Sequence, residues 1–254
     1  MQGEGGSIIL TNAIVLDNFS KDYGDVKAVE GLTLRIPEGE IFGLLGPNGS
    51  GKTTTINCLS GLTDASGGIL KVGGFDVQKE TEKFREILGI CPQDTPLYPY
   101  LSAKENIELF GDLYSVPKEV LKRNVAYAIE KTGLNDDAER RVSKYSGGMK
   151  RRVSIAMALV QDPKILFLDE PTVALDPQSR RAIWDFIVEL KDKGKTILLT
   201  THYMEEAEEL CDEVGIIDHG KLIELGSPED LKRKYGAKDL EDVFLQLTGR
   251  RIRE

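Results

Sequence analysis

Two stretches of this chain carry residue types at spacings that can act on a phosphate group. The first is Gly46-Pro47-Asn48-Gly49-Ser50-Gly51-Lys52-Thr53, followed by Thr54, a complete G-x-x-x-x-G-K-[ST] pattern. Glycines are needed there because the loop must turn its N–H groups inward around phosphate oxygens, and a Cβ would obstruct that approach. The Lys52 side chain would then reach the β- and γ-phosphates, and the Thr53 hydroxyl would reach a magnesium ion. The second stretch is Ile165-Leu166-Phe167-Leu168-Asp169-Glu170. Four apolar residues ending in two acids place Asp169 at the carboxyl edge of a parallel sheet, where open α/β sheets bind ligands. Asp169 can hold a magnesium-bound water there. Glu170 is placed to orient or deprotonate an attacking water. Read without the glycine loop, the same pair is a solvated acidic strand end.

A third stretch, Lys144 to Leu159 (KYSGGMKRRVSIAMAL), opens a helix whose charges run against the rule. Ser146 is a natural N-cap, yet the first turns hold Lys150, Arg151 and Arg152 and no acid. A helix N-terminus is already positive, and acidic first turns contribute about 0.3–1 kcal/mol. Three bases behind a glycine pair therefore predict an anion at this helix start; the alternative is a solvated basic face.

These residues need a frame to hold them. Ile41 to Leu45 form a short apolar strand ahead of the glycine loop, and Thr53 to Leu59 begin a helix that ends near Gly61. Leu32, Leu34 and Ile36 alternate as in a half-buried strand, and Ile69 to Val77 show the same alternation. From Leu101 the pattern is helical: Ser102 and Glu105 stand at capping-box spacing, with Ile107, Phe110, Leu113 and Tyr114 assigned to one face. Val120 to Lys131 repeat this with Leu121, Val125, Ala128 and Ile129. Thr196–His202 and Val214–Asp218 read as buried strands, and Asp176 with Pro177 starts a helix carrying Ile183, Trp184, Ile187 and Val188. Strands alternating with helices predict an α/β fold with a mostly parallel sheet.

Composition narrows the partners. A chain of 254 residues, 40% hydrophobic and 30% charged, suits one compact unit with sub-domains. A net charge of −9 and a pI near 5.0 argue against a nucleic-acid partner, which calls for a basic face. Cys58, Cys91 and Cys211 are odd in number and far apart, which fits a reducing compartment. The start, MQGEGGS, lacks the basic and apolar regions of a signal peptide. No apolar run approaches the roughly 20 residues that cross a bilayer.

Taken in order, the glycine loop, a helical insertion, Tyr145-Ser146-Gly147-Gly148-Met149, then ILFLDEPTVALDP and a strand ending at His202 resemble an ABC transporter ATPase domain over roughly Ile14 to Leu247. The resemblance implies a P-loop NTPase with a RecA-like parallel core, an antiparallel β sub-domain and an inserted α-helical sub-domain. It divides the single ATPase domain, 1–254, into a flexible lead (1–10), the β sub-domain with the phosphate loop (11–92), the helical sub-domain (93–160), the second half of the core (161–226) and a helical tail (227–254). It implies ATP and Mg²⁺ as cofactors, a second ATPase subunit as partner in a homodimer, and polytopic membrane permease subunits. The place implied is the cytoplasmic, inner face of the cell membrane.

Residue by residue, the resemblance makes Glu170, His202 and Lys52 catalytic. It places ATP on Tyr23, Gly46, Pro47, Asn48, Gly49, Ser50, Gly51, Lys52, Thr53, Thr54 and Gln93, with magnesium on Thr53, Gln93 and Asp169. Ser146, Gly147, Gly148 and Asp176 would meet the partner subunit's ATP in trans, so that the anion at the odd helix start is a γ-phosphate brought by a second copy. Taken on its own, Tyr23 is a strand-end aromatic, Asp176 a helix cap, Gln93 a loop residue and His219 a turn residue. Tyr145 and Met149 depart from the family's usual leucine and glutamine. Tyr-Ser-Gly-Gly-Met and the tail LEDVFLQLTGRRIRE resemble the drug, lipid and polysaccharide exporter branch. Two other classes are weighed beside it: a soluble ABC ATPase of an assembly or regulatory complex, and a single-site kinase or GTPase, which leaves YSGGM unexplained. Tyr98, Pro99 and Tyr100 are candidates for docking a membrane partner or for packing the helical sub-domain.

Overall fold

The computed structural model describes residues 11–94 and 96–249; the lead expected over residues 1–10 and the last residues of the tail, 250–254, lie outside them. The strands are β1 (Asn12–Tyr23), β2 (Val26–Pro37), β3 (Ile41–Leu45), β4 (Gly67–Val72), β5 (Phe75–Asp76), β6 (Leu88–Cys91), β7 (Ile165–Asp169), β8 (Thr196–Thr201), β9 (Glu213–Asp218) and β10 (Lys221–Gly226). Among the helices, α1 (Lys52–Leu59) follows the glycine loop and α2 (Thr81–Arg85) precedes β6; α3 (Ala103–Leu113), α4 (Lys118–Lys131) and α5 (Gly147–Leu159) form the insertion. Then come α6 (Pro177–Asp192), α7 (Met204–Leu210), α8 (Pro228–Tyr235) and α9 (Leu240–Thr248).

Two sheets result. A six-stranded sheet runs β10-β9-β3-β8-β7-β6, parallel except at its β9–β10 edge, and a four-stranded antiparallel sheet runs β2-β1-β4-β5. Fully buried β3 and β7, the latter apolar up to its terminal Asp169, read as strands covered on both faces. Alternating β2, by contrast, buries Leu32, Leu34 and Ile36 on one face only. Because β3, β7 and β8 are parallel, their carboxyl ends lie on one edge: Leu44 pairs with Thr200, and Thr200 pairs in turn with Asp169. That edge carries the phosphate loop, the acidic pair and His202.

The helical insertion has its own core, built from Ile107, Leu121, Val125, Ala128, Ile129, Val153 and Met157 among others. The predicted capping box is formed: Ser102 Oγ accepts from the Glu105 amide at 3.1 Å, and Glu105 Oε2 accepts from the Ser102 amide at 2.7 Å.

Three local expectations are corrected. Leu113 and Tyr114 are exposed rather than on the buried face of α3, which is made by Ala103, Asn106, Ile107 and Gly111. Val188 is likewise exposed, and Phe186 and Leu190 join Ile183, Trp184 and Ile187 in the core. Ile69 to Val77 is a hairpin, β4 and β5, broken at Gly73 and Gly74, both of which hold positive φ.

Candidate active site

A cleft of about 460 Å³ opens over the glycine loop, lined by Val26, Lys27, Ala28, Asn48, Gly49, Gly51, Lys52, Thr53, Thr54, Gln93, Glu170 and His219. That size suits a small-molecule site. The glycines at the loop's ends are obligatory. A Cβ on Gly46 would lie 2.2 Å from the Ile217 carbonyl oxygen, and Gly51, at φ +108°, would bring one within 2.6 Å of the Ala28 carbonyl. The loop is also pinned from outside, because the Gly220 amide donates to the Ser50 carbonyl at 3.0 Å.

Lys52 is buried. Its ammonium donates to the loop's own carbonyls, at 2.7 Å to Gly46 and 3.1 Å to Pro47. Burial lowers its pKa, and the nearby carboxylates of Glu170 and Asp169 oppose that shift. A cation thus stands at the loop with two acids behind it, a distribution that a polyphosphate would complete.

Glu170 sits at φ +53°, an uncommon conformation for a residue with a side chain. It is held there by its amide, which donates to the Thr200 carbonyl at 3.1 Å and reaches Thr200 Oγ1 at 3.2 Å. The Thr200 hydroxyl donates to Asp169 Oδ1. The Glu170 carboxylate is gripped from two sides: Gln93 Nε2 donates to Oε2 at 3.2 Å, and His202 Nδ1 stands 3.1 Å from Oε1. The His202 bond is the main cause of a lowered Glu170 pKa, so the carboxylate is ionised and the ring donates from Nδ1.

The comparisons with known proteins bear on this geometry. The family model described as ABC transporter matches residues 29–173, which holds both the loop and the acidic pair. The chain belongs to the ABC transporter family. The linearmycin resistance ATP-binding protein of Bacillus subtilis is 43% identical over 94% of this chain and 75% of its own length. The Nod factor export ATP-binding protein I of Cupriavidus pinatubonensis is also 43% identical, over 92% of this chain and 72% of its own length. A solved structure of a dimeric ATP-binding cassette, in a post-hydrolysis state with ADP and phosphate, superposes with a TM-score of 0.77 at 26% identity. It covers 84% of this chain and 98% of the other. The chain is therefore an ABC ATPase that binds and hydrolyses ATP, and its parallel core with an antiparallel second sheet is the fold of that class.

For this ABC ATPase the structure brings some of the expected residues together and leaves others apart. Lys52, Thr53, Thr54, Asn48, Gly49, Gly51, Gln93 and Glu170 share the cleft, with Asp169 1% exposed beneath it. Tyr23 closes β1 with its ring 49% exposed and Lys21 Nζ 4.8 Å from the ring centroid; it does not line the cleft. Ser146, Gly147 and Gly148 lie outside the cleft, beside the segment that leads to Asp176: a Cβ on Gly148 would come 3.1 Å from the Ala174 carbonyl. Ser146 Oγ caps α5 and Asp176 caps α6, each exposed.

The expectation that Arg151 and Arg152 face an anion at the α5 start is corrected. Arg151 is buried and spends its guanidinium on main-chain carbonyls of Pro92, Gln93, Asp169 and Pro171. Arg152 donates to the carbonyls of Thr132 and Gly133. Both therefore lock neighbouring loops; Lys150, half-buried, makes no such bond among the described residues. Arg151 joins three functional stretches at once: the α5 helix, the Gln93 loop and the Asp169–Pro171 strand end. A run of three bases gives no sign of which one turns inward. Thr200 carries no signal in the sequence, because "LLTT" reads as an ordinary buried strand. His219 occupies the expected turn, at φ +46°, and also borders the cleft.

Magnesium fits the donor set present. Thr53 could offer a hydroxyl, Gln93 an amide oxygen and Asp169 a carboxylate, all hard oxygen ligands. Among the described residues no three His, Cys, Asp or Glu side chains gather into a cage. That composition suits an ion held by one carboxylate and the nucleotide's phosphates.

Proposed function

We propose that this chain is the ATP-hydrolysing subunit of an export transporter, working as a pair of ATPase subunits on separate polytopic membrane subunits. The observation that carries the catalytic part is the Glu170 carboxylate, held ionised between Gln93 and His202 at the mouth of the loop that presents Lys52. In this reading Lys52, Thr53, Thr54 and the loop amides bind the phosphates. Glu170 accepts a proton from, or orients, the attacking water in line with the γ-phosphate, and His202 fixes the Glu170 carboxylate and stands beside the transferred group. Thr53, Gln93 and Asp169 would hold a magnesium ion, which would supply positive charge against that of the nucleotide's phosphates.

The second subunit supplies Ser146, Gly147, Gly148 and Asp176. They are exposed or half-buried, adjacent to one another and away from the chain's own cleft, as a trans contact requires, and α5 adds its dipole. A homodimer is the simplest pair, since one chain carries both halves. The reading as an exporter is supported by the resistance and export names of the relatives. Membrane subunits are placed at the groove lined by Leu62, Ile90, Pro92, Pro96, Phe110 and Tyr114. Tyr98 and Tyr100 are exposed nearby in sequence, and Gln93 lies three residues from Pro96, so docking there can be felt at Glu170. Among the described residues no helix is long and apolar enough to cross a membrane; the place proposed for the chain is peripheral, on the inner face, held by those partners.

The test is to tag Glu170→Gln, extract it with MgATP from detergent-solubilised membranes of its source cell, and identify what co-purifies. A polytopic membrane protein is expected. Soluble partners alone, with an intact ATP-bound dimer, overturn the transporter role while leaving the ATPase chemistry standing.

A further inference from the structure

Behind the Glu170–His202 pair lies a buried acid that the hydrolytic reading does not use. Glu206, on α7, is 0% exposed. Its Oε1 accepts from the Thr172 hydroxyl at 2.7 Å and from Trp184 Nε1 at 3.0 Å, while Oε2 is buried with no partner. Thr172 and Trp184 are themselves 1% and 5% exposed. A carboxyl in such a place costs stability unless something else requires it, since burying a half-satisfied polar group is unfavourable and a leucine would fill the volume.

The elements it joins suggest the requirement. Thr172 is two residues beyond Glu170 and four before Asp176; Glu206 is four residues beyond His202; Trp184 belongs to α6, the helix that Asp176 caps. Neither end of this arrangement is held well by local structure. Glu170 and Ala174 both sit at positive φ, and α7, of seven residues, begins at Tyr203 with no side-chain cap. A second contact runs the same way: the Arg180 guanidinium of α6 lies 5.0 Å from the Tyr203 ring centroid, and that ring is 4.2 Å from the His202 ring.

We propose that Glu206 is a positioning residue for hydrolysis: through Thr172 and Trp184 it fixes the segment Glu170–Asp176 against α7, the helix that follows His202, so that carboxylate and imidazole keep their 3.1 Å contact. This rests on the roles given above to Glu170 and His202. Burial raises the Glu206 pKa; one oxygen, Oε1, takes both bonds, a part that a glutamine amide oxygen can play.

The experiment is steady-state ATPase kinetics with the number of MgATP-binding sites measured on each preparation, using the full chain and Glu206→Gln, Glu206→Leu, Thr172→Val and the Thr172→Val/Glu206→Leu double variant. Glu206→Gln is expected to keep at least half of kcat per binding site. Thr172→Val and Glu206→Leu are expected to lower kcat per site fivefold or more while KM for MgATP moves less than twofold. The double variant is expected to be no worse than Glu206→Leu, because both changes cut the same link. Should Glu206→Leu fail to fold, Thr172→Val, a change of one hydroxyl, decides the matter. Wild-type kcat in Thr172→Val, multiplying effects in the double variant, or a Glu206→Gln as impaired as Glu206→Leu each overturn the proposal. His202→Ala is measured alongside. Full activity there overturns the roles of Glu170 and His202 and the inference with them, whereas its loss beside a fully active Thr172→Val overturns the positioning role alone.

Discussion

The Arg151 guanidinium lies behind the backbone of Asp169, bonded to that residue's carbonyl while the Asp169 carboxylate takes the Thr200 hydroxyl on its other side. One buried cation thereby fixes the strand end that presents Glu170, and with its other nitrogens it holds Pro92, Gln93 and Pro171. Among the described residues no carboxylate forms a close ion pair with it; its hydrogen bonds all go to main-chain carbonyls, a geometry matched by the planar fork of arginine and not by a point-charge ammonium.

Arg151→Lys is therefore expected to behave as a severe change. Leaving buried carbonyls without donors costs about 1–3 kcal/mol each before relaxation. Urea unfolding should show a loss of at least about 2 kcal/mol, with kcat falling more than KM for MgATP because Gln93 and Glu170 both lose their anchor. A lysine variant of wild-type stability would show that these carbonyls are satisfied some other way.

Lys52→Ala removes the cation that the loop holds over Glu170 and Asp169. Two carboxylates then face the incoming phosphates unopposed, and MgATP affinity is expected to fall at least about tenfold, or about 1.4 kcal/mol. The convenient reading is the rise in Tm with MgATP, which follows ligand affinity. It should nearly vanish, and an undiminished rise would remove the phosphate loop from the site.

Glu170→Gln keeps the shape and removes the charge that His202 stabilises. Hydrolysis should fall by about 10²-fold or more, the size typical of losing a general base, with MgATP still bound. His202→Ala should show a smaller loss of kcat, since Glu170 keeps its Gln93 bond at 3.2 Å. Rapid-quench turnover of both variants separates these cases, and equal, wild-type rates would leave the pair without a catalytic role.

How much of this was legible depended on whether the signal was local. The phosphate loop could be read because its glycines, lysine and threonine are contiguous, and the Ser102 capping box because both partners lie within one turn. The apolar face of α4 was right at all four positions, whereas α3 and α6 were misread at Leu113, Tyr114 and Val188, because their pattern extends past what the neighbouring elements cover. Arg151 could not be read at all. Its partners are carbonyls from Pro92 to Pro171, supplied by segments that only the folded sheet brings together, and a carbonyl leaves no mark in a residue pattern. Glu206 is hidden for the same reason, as one acid within a run of surface-like glutamates from Glu205 to Glu209.

That hidden acid gives the clearest dependence on pH. Burial is the largest cause of its raised pKa, opposed by the hydrogen bonds from Thr172 and Trp184 and by the charge of Arg180. In the unfolded chain a glutamate titrates near ~4.3. Between that value and the folded one, the native state binds more protons than the unfolded state, so stability falls as pH rises through the window. Glutamine at this position has no proton to lose. The Tm of Glu206→Gln minus that of the wild type should therefore grow in favour of the variant as pH is raised from 5 to 7, all other carboxylates cancelling in the difference. A difference independent of pH would mean that Glu206 loses its proton at the same pH folded and unfolded, and that the buried site holds a charge which the bonds from Thr172 and Trp184 are enough to carry.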